Sequence, residues 1–367
     1  MWVQRGILAG FLLAATAWGP PLAAAESDYL GLLRARDLTT FGFLRLDMRP
    51  AHAIHSAPGS WAVEMELAHQ NTWALSKDAE KYIESLPGRR ELGPDEVAAI
   101  RALPGENFLF DMEMAELDVT FHYKFSRRWG GYLVLSGVNY SGGFMDGAIE
   151  GFHDFMGFDK AGRPSLKRND VNLIADLDSA NFAFLEEPTN GGMLDPTIGL
   201  RYSSDRQMKG WNFVLEAAAK LAWRGRKDFI STGSTDYGLQ ATLQKFGDHH
   251  ALYVSASGVY YDGTSNITPT DPQIVPTLIV GYERKLSDRT HLVLQGYVSD
   301  SVYSREDTQL SELLDRKYQL SLGFYRRFGR GMLSFAITEN LQNFNNTPDV
   351  GLQLGWVFSP ALANTSD

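Results

Sequence analysis

The chain has 367 residues, a formal charge of −10 and no cysteine, with 44% hydrophobic and 21% charged residues. The acidic balance excludes a duplex nucleic-acid partner, which selects a basic face, and the missing thiol excludes disulfides and a thioether-linked lipid anchor. No internal apolar run approaches the roughly 20 residues a spanning helix needs, so a helical membrane protein is excluded too.

Residues 1–25 read as a secretory signal peptide, with one charge at Arg5, an apolar run from Gly6 to Trp18, a Gly19-Pro20-Pro21 break and small residues up to Ala25. In the N-terminal segment 26–59, Arg34, Arg36, Asp37, Arg45, Asp47 and Arg49 interleave with Leu and Phe. That pattern fits two arrangements: a plug whose arginines pair with Glu64, Glu66 or Glu216 in a barrel lumen, or an extension left loose in the periplasm.

From 60 to 358, period-two alternation predicts strands. The first, 61–75, places Trp61, Val63, Met65, Leu67 and Trp73 on one face and Glu64, Glu66, Gln70 and Thr72 on the other. After a long gap a strand from about Phe108 carries Val119, Phe121 and Tyr123 to a short turn at 126–130, and Tyr132, Val134, Val138 and Tyr140 rise from it. A second long gap reaches Leu194. Further strands are predicted over 197–203, 211–223, 235–246, 251–262, 274–286, 291–303, 317–328, 332–340 and 349–358, with connections alternately short and long and a tail at 359–367. The predicted fold is all-β, a transmembrane up-and-down antiparallel β-barrel of about 12 strands (14 is the alternative count), with a short helix in a long extracellular loop.

Alternation alone leaves open which face points outward, since soluble barrels share it. The faces opposite the apolar ones carry Glu64, Glu66, Asp118, His122, Glu216, Lys220 and Lys317, costly in a dry core but ordinary around water, so these residues are read as lining a lumen. Trp61 and Trp73 are separated by twelve positions on one apolar face, and Trp211 and Trp223 by the same number on another. At a rise of about 3.3 Å per residue and a tilt of about 45°, this spans roughly 28 Å, the height of a lipid-facing band. With Trp356 they are read as an interfacial aromatic girdle.

The segment 143–160 has Phe144, Ala148, Phe152 and Met156 at helical spacing, with Asp146, Glu150 and Asp154 elsewhere around the wheel. It reads either as a lid folded into the mouth, with Phe144, Phe152, His153 and Asp154 at a ligand, or as a helix packed on the rim. Glu116, Asp118, Thr120 and His122 alternate along one strand face. A His122–Asp118 acid–base pair is one reading of that row and mutual charge neutralisation the other. His52 and His55, and His249 with His250, lack a third ligand at metal-binding spacing, so no metal is expected. No hydrolase, metalloprotease or nucleotide-binding motif is present, so neither a catalytic residue nor a cofactor is expected.

Two stretches, MDGAIEGFHDFMGFDKAGR at 145–163 and TENLQNFNNTPDVGLQLGW at 338–356, resemble an uncharacterised proteobacterial family, domain of unknown function 3187. The resemblance implies an outer-membrane barrel and carries no established activity. One departure from the usual barrel ending is that Trp356 and Phe358 are followed by SPALANTSD. The expectations are therefore location in a Gram-negative outer membrane and partnership with its lipid, its lipopolysaccharide and the barrel assembly machinery. The first functional reading is a constricted passive channel or uptake pore for a small solute, followed by a structural or scaffolding barrel, then by an enzyme acting on lipid or lipopolysaccharide.

Overall fold

A strand with one apolar face and unpaired edges cannot rest in lipid, because each exposed N–H and C=O would go unsatisfied there; closure removes the edges. The computed structural model, which describes residues 29–39, 42–50, 58–204, 211–261, 273–342 and 344–359, shows such closure. The expected signal peptide, His52, His55 and the tail beyond 359 lie outside the described residues.

In chain order the strands are β1 (Trp61–Leu75), β2 (Asn107–Lys124), β3 (Trp129–Ser141), β4 (Asn172–Asp176), β5 (Asn181–Phe184), β6 (Gly192–Met193), β7 (Thr197–Ser203), β8 (Trp211–Lys220), β9 (Asp236–Phe246), β10 (His250–Tyr261), β11 (Gln273–Lys285), β12 (Thr290–Ser299), β13 (Lys317–Phe328), β14 (Gly331–Gln342) and β15 (Val350–Phe358). The helices are α1 (Lys77–Ser85), α2 (Pro94–Arg101), α3 (Asp146–Met156) and α4 (Ser311–Leu314). Twelve strands form a closed antiparallel barrel. β2 pairs with β1 and β3, β3 passes to β7, each later strand pairs with the next, and β15 returns to β1 with Val63 opposite Phe358. The short strands β4 and β5 extend the outer end of β2, outside the ring.

Side chains alternate as the sequence predicts. Leu239 and Ile274 are each 69% exposed on the outer wall, whereas Glu64, Glu66, Glu116 and Glu216 are buried on the inner one. A wall that is apolar outside and charged inside is stable only with lipid around it. Around the end formed by the short turns, Trp61 packs on Phe358 with ring centroids at 5.8 Å, Phe328 on Trp356 at 6.3 Å, and Trp129 on Tyr202 at 5.0 Å. Trp211 is exposed at the same end, with the Lys245 ammonium 5.1 Å from its ring.

Trp73 departs from the girdle expected of it, and Trp223 stands beyond the end of its strand. Trp73 is 6% exposed: its outer end of β1 rises past the lipid-facing row, and its indole N–H donates to the Ala161 carbonyl at 3.0 Å beneath the loop that covers it. Trp223 is exposed, but β8 stops at Lys220, where the Leu221 amide turns to the Pro196 carbonyl at 2.8 Å. The first long gap holds two helices that strand periodicity does not reveal. Ala79 and Ile83 of α1 and Ile100 of α2 cluster with Trp73, Leu75, Leu109 and Ile174, so these loops share a core with the outer end of the wall.

Candidate functional site in the barrel lumen

The N-terminal segment fills the barrel. Tyr29 reaches the carbonyl of Gly247 in the β9–β10 turn, Asp37 meets Lys317 at the opposite end of β13 at 2.7 Å, and the chain turns back through Thr39–Arg45. It therefore enters from the short-turn side, rises as residues 29–39 and descends as 42–50. The described residues 29–39 and 42–50 thus lie against the inner wall rather than apart from it.

Apart from a single bridge at Gly31, the described residues of this hairpin belong to neither helix nor strand, so their buried backbone groups need other partners. The inner wall supplies them from side chains. Glu283 accepts from the amides of Leu30 and Gly31 at 2.8 and 2.9 Å, Gln70 from Leu38 at 2.7 Å and Asp236 from Leu46 at 3.0 Å. In the other direction Gln353 donates to the Arg34 carbonyl at 2.9 Å, Gln70 to that of Arg36 at 2.6 Å, Gln240 to that of Met48 at 2.8 Å and Tyr325 to that of Leu32 at 2.6 Å. Glutamine suits this position because one terminus can donate while the other accepts, matching an irregular strand without a ladder.

The arginines complete the seal. Arg49 bridges Glu66 at 2.8 Å and Asp118 at 2.7 Å, while Arg36 lies 2.6 Å from Glu116 and 3.4 Å from Asp118. Arg34 approaches Glu64 at 3.7 Å, and Arg45 approaches Asp236 at 3.4 Å. Apolar packing adds to these: Tyr29, Leu32 and Leu33 join Phe246, Tyr253, Ile279 and Tyr325 in one cluster, and Phe43, Leu44 and Leu46 join Tyr140, Val138 and Tyr261 in another. A residual cavity of about 30 Å³ beside the hairpin, lined by Arg36, Leu44, Tyr132, Glu216 and Lys220 among others, has room for about one water molecule.

Two sequence expectations about lumen residues change here. Glu216 pairs with Arg201 at 2.7 Å and with the Tyr132 hydroxyl at 2.7 Å, both from the wall, rather than with an arginine of the hairpin. The ring of His122 bonds Glu64 at 3.0 Å, while Asp118 is taken by Arg36, Arg49 and the Ser136 hydroxyl, so no His122–Asp118 pair forms. Lys220 joins Asp236 at 3.0 Å and the Leu44 carbonyl at 2.8 Å, a cation shared by wall and hairpin.

The loop helix lies elsewhere. Leu67 of β1 and Leu117 of β2 point outward, and so, by period two, do His69, Asn71 and Glu113. Glu113 accepts from the amides of Phe144 and Met145 at 3.0 and 2.6 Å and bonds the His69 ring at 2.6 Å, and Phe144 stacks on that ring at 4.8 Å. α3 thus starts on the outside of the wall, and neither lid nor mouth constriction describes it. His153 bonds the Asp159 carbonyl at 2.7 Å, Asp154 pairs with Lys160 at 2.5 Å, and Phe152 is exposed. The helix ends at Gly157, whose φ of 69° is left-handed, with the Phe158 amide returning to His153 at 2.9 Å.

Gly143 is a tight point of this attachment. Its φ is +73°, and a Cβ there would collide with the Glu113 carboxylate. Gly143→Ala is expected to cost about 1–3 kcal/mol of local strain and to detach the start of α3, seen as faster amide exchange at Phe144 and Met145 with the barrel strands unchanged.

Further along α3, burial raises the Glu150 carboxyl while Arg168 and Arg89, at 2.5 and 2.8 Å, more than offset it, so its proton affinity is held below the ordinary carboxylate value. A depressed carboxylate contributes stability above its unfolded pKa of about 4.3 and loses it as pH falls through the lower folded value. Exchange protection across 146–156 should therefore be full at pH 6 and fall only below about pH 4.

Among solved structures, the chain is similar to an outer membrane channel from Pseudomonas putida F1 (10% identity, TM-score 0.48, covering 83% of this chain and 97% of that one). It is also similar to the translocator domain of the autotransporter NalP from Neisseria meningitidis (10%, 0.36, 83% and 90%) and to the P. putida toluene transporter TodX (9%, 0.36, 83% and 90%). No curated protein sequence matches the chain. A family model spans residues 11–359, a stretch that takes in the hairpin and every barrel strand, and the chain belongs to that family, described as "Protein of unknown function (DUF3187)".

Proposed function

We propose that this protein is a channel for small solutes in the Gram-negative outer membrane, held shut by its own N-terminal segment. The observation that carries the reading is the chemistry of the seal. A barrel with only a structural task could fill its interior with apolar side chains; here the wall instead presents acids and amides to a separate, irregular piece of chain. Because no strand ladder runs through the described hairpin residues, which carry only a bridge at Gly31, the hairpin can be displaced without breaking one.

The wall predicts what an open form would pass. Without the hairpin, Glu64, Glu66, Glu116, Asp118, Glu216 and Asp236 outnumber Arg201, Lys220 and Lys317 on the inner face. Rings of acidic side chains favour cations. In planar bilayers the mature protein should be closed, whereas a variant lacking residues 29–50 should show steady, cation-selective conductance. If the deleted form is folded, by its heat-modifiable gel migration, and still silent, the barrel is structural and the channel reading fails.

A further inference from the structure

The helix α3 is amphipathic in the reverse of the sense found on a soluble protein. Its buried side carries Asp146 and Glu150, held by Arg163 at 2.5 Å and by Arg89 and Arg168, together with Ile149 and the half-buried His153. Its outward side carries Phe152, Phe155 and Met156, continued by Phe144 before the helix and Phe158 after it; Phe155 is 85% exposed. Between these stand Gly147, Ala148 and Gly151, and the one charge on that side, Asp154, is neutralised by Lys160.

The position of the helix says what covers this side. On β1 the outward row Trp61, Val63, Met65 and Leu67 ends at His69, and on β2 the row Tyr123, Phe121, Val119, Leu117 and Ala115 ends at Glu113. The register places Glu339 of β14 opposite Val350 of β15, Val350 opposite Asn71, Asn71 opposite Glu113 and Glu113 opposite Ser141 of β3, and most of these outward positions are polar. On the far side of the barrel, by contrast, β11 keeps an apolar outward residue, Ile274, to its outer end. α3 is attached at the polar level: Phe144 stacks on His69, one outward position above Leu67, and Asn71 bonds Asp146 at 3.2 Å. The helix therefore begins where the lipid-facing rows of this sector stop, covers their polar continuation with its own charged side, and presents a new apolar side that continues the band.

The geometry points to α3 as an interfacial helix whose phenylalanine side is seated among the acyl chains of the outer leaflet. Lipid, rather than solvent or a second protein, is the occupant, because the surface is continuous with the lipid-facing wall. The segment is then a lateral anchor of the barrel in the membrane, separate from any gating of the lumen.

The chain has no cysteine, so single labels can be placed cleanly. Nitroxides on Phe155→Cys and Ala148→Cys, with Leu243→Cys as the wall reference and Lys77→Cys as the water reference, would be measured in vesicles of phosphatidylethanolamine and phosphatidylglycerol, each variant first checked for heat-modifiable migration. The ratio of collision rates with oxygen and with a water-soluble nickel chelate should be several-fold higher at 155 and 148 than at 77, and close to that at 243. A ratio like that at 77 places the helix in water, and a label shielded from both reagents places it against protein; either result overturns the proposal. If the label at 243 also behaves as in water, the membrane-spanning barrel has failed rather than the helix.

Discussion

Replacing Arg49 by methionine should release the hairpin from the lumen while leaving the barrel folded. Arg49 is 7% exposed and holds Glu66 and Asp118 together, with Glu64 and Glu116 close by. Methionine keeps much of the side-chain length and removes the charge, so the Glu66 and Asp118 carboxylates lose the cation that bridges them. Removing one partner of a buried pair costs about 3–5 kcal/mol, far more than the pair contributes relative to an apolar substitute. The strand ladders do not depend on Arg49, so that cost falls on the docking of residues 29–50. The expected results are protease cleavage inside 29–50 of the membrane-inserted protein, intermittent cation conductance, and a gel shift on boiling that still occurs. Arg49→Lys should fall between the two, since a point charge replaces a two-pronged donor. Adding Glu66→Met to the methionine variant should restore part of the closure, because the stranded charge is removed with its partner. Closure unaffected by Arg49→Met would mean that apolar packing alone holds the hairpin.

The second large effect is expected on the outer wall. Arg163 is buried, donating to Asp146 at 2.5 Å, Asp349 at 2.8 Å and Asn71 at 3.1 Å, with its guanidinium 4.7 Å from the centroid of the Trp73 ring. One side chain thereby joins the loop carrying α3, the β14–β15 loop and β1. Arg163→Met leaves Asp146 and Asp349 buried without the arginine that joins them, again about 3–5 kcal/mol, and α3 should lose exchange protection from 146 to 156 while the twelve strands keep theirs. Asp146→Asn added to that variant should recover a good part of the protection. The two sites share no side chain, so lumen closure should be unchanged when Arg163 is replaced, and α3 unchanged when Arg49 is.

How far the sequence could be read follows from which interactions are periodic. The existence, order and inward face of the twelve barrel strands were legible because period two is imposed by the pleat, and Lys317–Phe328 and Thr197–Ser203 match their predicted limits, whereas the short β4, β5 and β6 lie in a stretch read as a gap. Strand ends were less legible: nothing in the alternation of 211–223 signals that the chain leaves the β9 ladder after Lys220, where the Leu221 amide turns to the Pro196 carbonyl. Pairing within the lumen was legible only by charge. The sign of Arg34 and Arg49 indicated acidic partners and Glu64 and Glu66 were among those expected, but Glu216 was assigned to the hairpin because the competing Arg201 lies on the adjacent strand, a register fact. The alternation shows that Gln70, Gln240 and Gln353 are polar but carries no sign that each bonds the hairpin backbone. The side of the wall taken by α3 was hidden for a related reason. Helical spacing shows that one side is apolar but not which side is buried, and the signal lay in Asp146 and Glu150 falling opposite the phenylalanines with Arg163 and Arg168 downstream to meet them.

A cross-link between hairpin and wall tests most directly whether the lumen is filled by the chain's own N-terminal segment. A Cβ built on Gly238 of β9 lies 2.8 Å from Cγ of Met48, within the reach of a disulfide. With Met48→Cys and Gly238→Cys in the otherwise cysteine-free chain, mild oxidation of intact outer membranes should close an intramolecular bond in the folded barrel, detected as a reducible shift after boiling, and should hold the pore shut until reductant is added. A doubly substituted protein that folds and inserts but forms no such bond would contradict the plugged lumen, and the gating account with it.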